Sequence, residues 1–264
     1  MCKFFDGNVE AINSFNNGQL DGLSYISVSN RADLIKKETT HIFELLKPQL
    51  TGIFFNKNNN SSLGEKEIRA ALATAINKEE IVTEIFKGAG QVAHGPILKN
   101  SFAYKDDAIS HYYNRDEAAA TLADKELKIK LTVIDNNQNI NVANKIKDYW
   151  QAAGVTVEVE VISLEQAAEV IKNRQFEALL YGQQVGGDPD VYAFWHSTQT
   201  GARGLNFAGY SNEEVDILLQ DARSSNVLEE RITNYHKFQE IWGQDLPVIF
   251  LYSPAHTDVQ AGRI

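Results

Sequence analysis

The chain has 264 residues, of which 43% are hydrophobic and 23% charged, and its formal net charge at pH 7 is -10. This is the composition of an ordinary globular protein, long enough for one large domain or two small ones. An acidic surface repels nucleic-acid backbones and anionic lipids, so the charge argues against both as partners. The single cysteine, Cys2, excludes an internal disulfide, and no apolar run approaches the roughly 20 residues that span a bilayer.

The N-terminal part predicts one helix followed by strands. The helix would turn three apolar residues inward: Val9, Ile12 and Phe15. Gly18 would end it, because glycine tolerates the backbone conformation that follows a helix. Two apolar runs, 41–46 and 52–55, predict strands that are separated by Pro48.

The next segment is strongly helical. Its inward face carries Ile68, Leu72 and Ile76. Asn77 followed by Glu80 is a capping-box pattern, which predicts a second helix over 78–86. Asn114 with Glu117 repeats the pattern and predicts a short alanine-rich helix.

The middle of the chain alternates strands with helices. Apolar alternation predicts half-buried strands over 127–133 and 155–161, and the run 176–181 predicts a third strand. Ser163 and Gln166 mark the start of the helix between the last two. Strands that alternate with helices imply crossover connections and therefore an α/β architecture.

The last third predicts three helices and a closing strand. The dipeptide Asp188-Pro189 is a strong helix-start signal. Ser211 and Glu214 predict the next cap, and residues 228–244 form a long amphipathic pattern. Residues 248–252 predict a buried apolar strand.

Few side chains suggest catalysis. The sequence lacks the nucleophile-elbow, phosphate-loop and zinc-protease motifs, and its six histidines are scattered. Asp188, Asp190 and His196 leave one alternative open, a stand-alone α/β hydrolase-type enzyme that uses these three groups. A cap and a first-turn acid at a helix start are the favoured explanation of the two aspartates. A protein-interaction module is the other alternative.

Segment 182–187 is the strongest candidate for ligand contact. It lies between a buried strand and a predicted helix start, where α/β sheets place their ligand crevices. Its glycines let another group approach the backbone, and Gln183 and Gln184 offer uncharged donors and acceptors. The aromatic Tyr192 follows closely and is a further candidate contact.

Several segments occur in an order that one known protein family shares. They are 66–81, 86–97, 113–118, 151–155 and 187–190, followed by 195–197 and 245–247. Segment 66–81 (KEIRAALATAINKEEI) is similar to a "VRQALAYAID+xxI" helix pair, and 86–97 is similar to a "G-x-G-x-x-A-x-G-P-I" loop. The ordered set resembles the family 5 extracellular solute-binding proteins, which serve peptide and nickel ABC importers.

The resemblance implies a fold and a domain arrangement. Members have two α/β lobes joined by a hinge, and they enclose the ligand between the lobes. This chain resembles only the latter half of the family's pattern. We therefore expect an α/β, periplasmic-binding-protein-like (type II) second lobe, with a mixed β-sheet flanked by helices, plus remnants of the first lobe. The expected ranges are 1–55 for the first-lobe remnant, 56–245 for the second lobe and 246–264 for a truncated return strand.

The resemblance also implies a function. The chain would be the substrate-binding component of an ABC importer and not an enzyme, it would need no cofactor or metal, and it would be a monomer. Its partners would be a small solute or oligopeptide and the permease subunits, with no nucleic acid and no membrane contact except through an anchor outside this sequence. It would work at the extracellular face of the cell membrane or in the periplasm, with its signal segment also outside this sequence. The expected ligand contacts are Gln183, Gln184, Val185, Gly186, Tyr192 and Asn206.

One departure from the family's pattern bears on the ligand. In peptide-binding members, an aspartate three residues before the D-P pair binds the free amino terminus of the peptide. Val185 occupies that position here, and it cannot form the charge-assisted hydrogen bond that an ammonium needs. The neighbouring glutamines favour neutral polar groups instead, such as backbone amides or a sugar.

Overall fold

A computed structural model describes residues 2–26, 28–34, 40–108, 111–201 and 203–262. Its α-helices are α1 (Asn8–Asn16), α2 (Lys66–Thr74), α3 (Lys78–Ile85), α4 (Arg115–Leu122), α5 (Asn137–Ala152), α6 (Leu164–Lys172), α7 (Tyr192–Trp195), α8 (Glu213–Ser224) and α9 (Leu228–Asp245). Its strands are β1 (Gly22–Ile26), β2 (Thr40–Leu46), β3 (Gln49–Phe55), β4 (Gly90–Val92), β5 (Lys128–Ile134), β6 (Thr156–Ile162), β7 (Ala178–Gln184) and β8 (Val248–Ala261).

The strands form one mixed sheet in the order β1-β8-β3-β7-β5-β6, and β2 and β4 also pair with β8. Strand β5 runs parallel to both β6 and β7, whereas β3 is antiparallel to its neighbours β7 and β8. The first part of β8 pairs with β3 and β4, and its second part pairs with β1 and β2. A mixed sheet flanked by helices confirms the α/β fold class that the sequence predicts.

A separate hydrophobic layer lies on each face of the sheet formed by β3, β5, β6, β7 and the first part of β8. On one face, α2, α3 and α5 pack against the sheet, and Trp150 of α5 is fully buried there. On the other face, α8 and α9 pack with Trp242 and Trp195 against Phe250 of β8. Successive residues of β7 contribute to opposite layers, as the pleat of a strand requires.

Three of the predicted helix caps are confirmed, at Asn77, Asn114 and Ser163. The side chain of Asn77 accepts the backbone N–H of Glu80 at 3.1 Å, and that of Asn114 accepts the N–H of Glu117 at 3.2 Å. At the start of α6, Ser163 and Gln166 satisfy each other's backbone N–H groups, which completes a capping box. These contacts occupy N–H groups that have no partner within a helix.

Two predicted inward residues face solvent. Val9 of α1 is 62% exposed, although Ile12 and Phe15 on the same helix are buried. Val161 of β6 is 48% exposed, because β6 is the last strand of the sheet and little covers its far end. Apolar periodicity locates these elements correctly but does not show how far the neighbouring layer extends.

The predicted helix at Asp188 is wrong. The helical turn α7 begins only at Tyr192. The side chain of Asp188 accepts the N–H of Asp190 at 3.0 Å, and Asp190 in turn accepts the N–H of Tyr192 at 3.1 Å. Two successive aspartate turns thus replace a single helix cap, a local alternative that aspartate offers the backbone.

Three boundaries also differ from the prediction. The cap of α8 is Asn212 and not Ser211, since the Asn212 side chain accepts the N–H of Glu214 at 3.1 Å. Strand β7 continues through Gln184, and β8 continues to Ala261. Both strands are longer because a neighbouring strand pairs with the polar residues at their ends.

Two ionisable groups make stability depend on pH: the buried Lys78, which begins α3, and the partly buried His94. Lys78 donates from Nζ to the carbonyl of Ala93 at 3.3 Å, and burial lowers its pKa to about 8. Burial, followed by the charge of Lys78, lowers the pKa of His94 from 6.5 to about 4. The folded state therefore resists protonation of His94, so the unfolded state binds more protons between these two values.

We expect the free energy of unfolding to decrease as the pH falls from 6.5 towards 4, and His94→Gln to reduce that dependence. Burial also lowers the pKa of His111, so part of the slope should persist in the single variant. Urea unfolding at a series of pH values measures both effects. An unchanged slope in His94→Gln would show that other groups cause the acid sensitivity.

Candidate functional site

Three uncharged polar side chains meet where β3 begins and β7 ends. Gln49 and Gln184 are cross-strand partners, and Nε2 of Gln184 donates to Oε1 of Gln49 at 3.3 Å. Nε2 of Gln49 donates to Oγ1 of Thr51 at 3.4 Å. Gly182 pairs with Thr51, and a side chain there would collide with the Gln49 amide. We call Gln49, Thr51 and Gln184 the amide cluster; Gly182 makes room for it.

The amide cluster lies at the carboxyl-terminal edge of the parallel strands. Strands β5, β6 and β7 all end at this edge, which is where α/β sheets place ligands. Gln184 is exposed, Gln49 is half-buried and Thr51 is buried. The amide of Gln184 therefore offers donors and acceptors to solvent, while Gln49 and the buried Thr51 hold it in place. The cluster carries no charge of its own.

A cavity of about 150 Å³ adjoins segment 185–189. Its other walls include 46–48 at the end of β2 and after it, Gln91 in β4, 96–98 and 100–101 after β4, Val191, and Ser253 in β8. Hydrogen bonds connect these walls. The N–H of Val185 donates to the carbonyl of Pro48 at 2.8 Å, and Oγ of Ser253 donates to the carbonyl of Lys47 at 3.0 Å.

The same place joins the two parts of the sheet. Between β2 and β3 the chain passes Lys47 and Pro48, and β8 passes from one part to the other near Pro254. The N–H of Lys47 donates to the carbonyl of Pro254 at 2.8 Å, so the two crossings are bonded to each other. We call residues 47–48 and 253–255 the joint. Segment 185–187 is bonded to it through Pro48.

The two candidate glutamines do not face the same surface. Gln184 belongs to the amide cluster, whereas Gln183 lies on the opposite face of β7 and is only 3% exposed. Nε2 of Gln183 is buried without a hydrogen-bond partner among the described residues. The sequence suggested a loop that contains both side chains; a strand separates them, because its successive residues point to opposite faces.

The other candidate contacts divide into two groups. Val185 and Gly186 line the cavity. Tyr192 does not, since its ring stacks on His196 with centroids 4.1 Å apart and lies under the guanidinium of Arg223.

Asn206 is fully buried and serves the fold. Its Nδ2 donates to the carbonyls of His196 at 3.2 Å and Tyr210 at 2.8 Å, and its Oδ1 accepts the N–H of Tyr210 at 3.0 Å. The amide is used inside the loop that it closes, so Asn206 is not part of the surface that we propose for binding.

The three groups of the enzyme alternative each have a separate structural partner. Asp188 pairs with Arg231 at 2.6 Å, and Asp190 pairs with Arg223 at 3.0 Å. Nδ1 of His196 lies 2.9 Å from Oγ1 of Thr198 and accepts the N–H of the same residue at 3.2 Å. Since only Asp188 lines the cavity, the groups do not converge on one reacting position.

The residues that the structure describes contain no group of three or more histidine, cysteine, aspartate or glutamate side chains arranged to hold a metal ion. None of the helices among them has the length and apolar character needed to cross a membrane.

Sequence reasoning missed Gln49, Thr51 and the joint. Gln49 lies 135 residues before its partner Gln184, and nothing local marks a polar residue before a strand as part of a site. Gln49 and Thr51 reach the site because β3 pairs antiparallel with β7, and the sequence alone does not show this pairing.

Comparison with known proteins identifies the relatives of this fold. Residues 2–205 match the family described as "Bacterial extracellular solute-binding proteins, family 5 Middle". The chain belongs to this family. Membership confirms the resemblance that the ordered sequence segments indicate.

Curated members of the family include peptide-binding proteins. The oligopeptide-binding protein AppA of Bacillus subtilis is 29% identical over 227 residues, which cover 78% of this chain and 42% of AppA. The dipeptide-binding protein of Escherichia coli is 23% identical, over 87% of this chain and 45% of that protein. The chain thus spans less than half the length of these relatives.

Solved structures confirm the fold. AppA of Bacillus subtilis in complex with a nonapeptide superposes with a TM-score of 0.80 at 23% identity, covering 96% of this chain and 54% of that one. NikZ of Campylobacter jejuni in complex with Ni(L-His) gives the same TM-score of 0.80, the same 23% identity and the same coverage. The substrate-binding protein CtaP of Listeria monocytogenes reaches 0.86 at 20% identity, over 99% of this chain and 55% of its own.

Proposed function

We propose that this chain is part of the substrate-binding component of an ABC importer. The whole protein would bind a peptide-like or other polar solute between two lobes and deliver it to membrane permease subunits, as a monomer on the extracellular face of the membrane or in the periplasm. Membership of the solute-binding family and the peptide-binding relatives support binding over catalysis. The amide cluster at the strand ends is the observation that carries the proposal.

The joint supports a two-lobe arrangement. We propose that 47–48 and 253–255 connect the lobes, whereas the sequence favoured boundaries at 55–56 and 245–246. Residues 49–55 pair along their whole length with β7, and this pairing supports assigning them to the second lobe. The expected ranges 1–55 and 246–264 also include residues 1, 27, 35–39 and 263–264, which lie outside the described residues.

An exposed apolar surface on β2 fits a neighbouring lobe. Phe43 and Leu45 are each 47% exposed, and Leu46, also exposed, reaches the cavity wall. Exposed apolar side chains grouped on one strand are typical of an interface. Burying β2 against another lobe would cover them and enclose the amide cluster from the opposite side.

The ligand that fits this wall is uncharged where it meets the cluster. Amide groups match peptide backbones, which offer the complementary donors and acceptors. Val185 offers no charge to an ammonium, and Asp188, the one carboxylate among the described residues that lines the cavity, is paired with Arg231. We propose a peptide-like ligand that is held by its backbone and not by a free amino terminus.

We expect Gln184→Ala to weaken the binding of trialanine by about tenfold, because an exposed amide that bonds the ligand is lost. Acetylation of the tripeptide's amino terminus should change the affinity of the unaltered chain by less than about threefold. Nuclear magnetic resonance titration at millimolar peptide measures both quantities, which suits the weak binding expected of one wall of a cleft.

Gln175→Ala, in the exposed turn before β7, is the matched control and should bind like the unaltered chain. Val185→Asp should favour the free tripeptide over its acetylated form, because it adds a charge partner for the ammonium. If the Gln184→Ala chain and the unaltered chain bound trialanine with equal affinity, the amide cluster would not be part of the binding site.

A further inference from the structure

A second cavity, of about 230 Å³, lies between the end of α6 and the loop residues 201, 203–205 and 207. It shares no lining residue with the cavity at the joint. One wall is aromatic, because Tyr181 of β7 and Phe207 form an edge-to-face pair with centroids 5.6 Å apart. Ala168 and Ile171 of α6 extend the apolar part.

The rest of the lining is basic. Lys172, Arg174 and Arg203 contribute to it, and among the described residues no carboxylate lines the cavity or forms an ion pair with these three. Three unpaired cations around one cavity are unusual in a chain whose formal net charge is -10. Such a group attracts an anion, since no carboxylate in the part of the chain that the structure describes is paired with it.

Arg174 is the least exposed of the three cations. Its Nη2 donates to the carbonyl of Asn206 at 2.9 Å, which fixes the guanidinium, but its buried Nε has no hydrogen-bond partner among the described residues. A buried donor without an acceptor costs free energy unless a ligand supplies one. Burial with no compensating carboxylate also lowers the pKa of this guanidinium, which agrees with a missing counter-ion.

The backbone at Arg174 has a left-handed conformation. Its φ of 51° lies at the position after a helix where glycine is usual. Glycine would therefore fit at position 174, and the exposed Lys87 has the same conformation after α3.

We propose that this cavity binds a small organic carboxylate. The carboxylate would accept hydrogen bonds from Arg174, with Lys172 and Arg203 adding charge, and the apolar body would lie against Tyr181 and Phe207. A cavity of about 150 Å³ accommodates benzene, so a ring with one carboxylate fits this larger space. The site is separate from the amide cluster, because Tyr181 and Gln184 face opposite sides of β7.

Benzoate is the probe, and chemical shifts of a nitrogen-15-labelled chain report its binding. We expect saturable shifts at Tyr181 and at residues 203–207. Benzamide, which has the same shape without the charge, should bind at least about tenfold more weakly, and so should inorganic phosphate, which has charge without an apolar body.

Arg174→Gly tests the arginine without straining the fold, because glycine favours the left-handed backbone that is already present. It should weaken benzoate binding by at least about tenfold and leave trialanine binding unchanged. Lys87→Gly is the matched control: Lys87 has a φ of 52°, follows a helix and is exposed, so the same exchange there should preserve benzoate binding. No saturable shift, equal benzoate affinity in Arg174→Gly, or phosphate binding as tight as benzoate would each overturn the proposal.

Discussion

Replacing Arg69 with methionine is expected to lower the free energy of unfolding by about 3–5 kcal/mol, because two buried carbonyls and one partly buried carbonyl lose their donors together. Nε of Arg69 donates to the carbonyl of Leu246 at 2.9 Å, Nη1 to that of Leu63 at 2.8 Å, and Nη2 to that of Asp245 at 2.6 Å. The guanidinium thus closes the end of α9, where Leu246 has the left-handed conformation, against the turn before α2. The arginine of the segment that resembles the family's helix pair therefore has a structural role here.

Lys66→Met is the matched control for this prediction. Lys66 lies on the same helix and pairs with the carboxylate of Asp245 at 2.5 Å, but its side chain is 63% exposed. Exposed ion pairs contribute at most about 1 kcal/mol, so the effect should be small. Urea unfolding followed by tryptophan fluorescence measures both variants. If Arg69→Met and Lys66→Met lowered the free energy of unfolding by similar amounts, the buried guanidinium would have no special role.

Trp150→Ala is expected to destabilise the chain by about 3–5 kcal/mol, because it leaves a large cavity in the core. Trp150 is fully buried between α2 and the sheet, and its Nε1 donates to the carbonyl of Leu72 at 3.0 Å. The substitution removes the ring and leaves that carbonyl without its donor. Thermal or urea unfolding measures the loss.

Val161→Ala provides the comparison on the surface. Val161 is half-exposed at the edge of β6, so its truncation should change stability by less than about 0.5 kcal/mol. A small loss for Trp150→Ala, close to that of Val161→Ala, would mean that the core around α5 is not packed as described.

Much of the fold was predictable because its signals are local. The capping pairs at Asn77, Asn114 and Ser163 each act within one helical turn, and all three are confirmed. The alternation in 127–133 and 155–161 reflects which face of a strand is buried, and both strands are present. One error arose where a distant neighbour decides the outcome, as at Val161 on the sheet edge. The errors at Asp188 and Ser211 are local, because an aspartate turn and a neighbouring asparagine cap replace the predicted helix starts.

The site was predictable in position but not in composition. Gln184 and Val185 are at the strand end that the sequence indicated, because such ends follow buried apolar runs. Gln49 was not predictable, since it reaches the site by pairing with a strand far along the chain. Asn206 remains a prediction as a ligand contact, and its amide is bonded within its own loop, which local sequence does not reveal.

Mapping trialanine onto a nitrogen-15-labelled chain by chemical shift tests the central claim most directly. The account predicts that the largest shifts fall on Gln49, on Gln184 and on residues 185–187, and that the side-chain amides of both glutamines move. These groups lie at the strand ends and next to the joint. Saturable shifts located elsewhere, with the amide cluster unchanged, would contradict it.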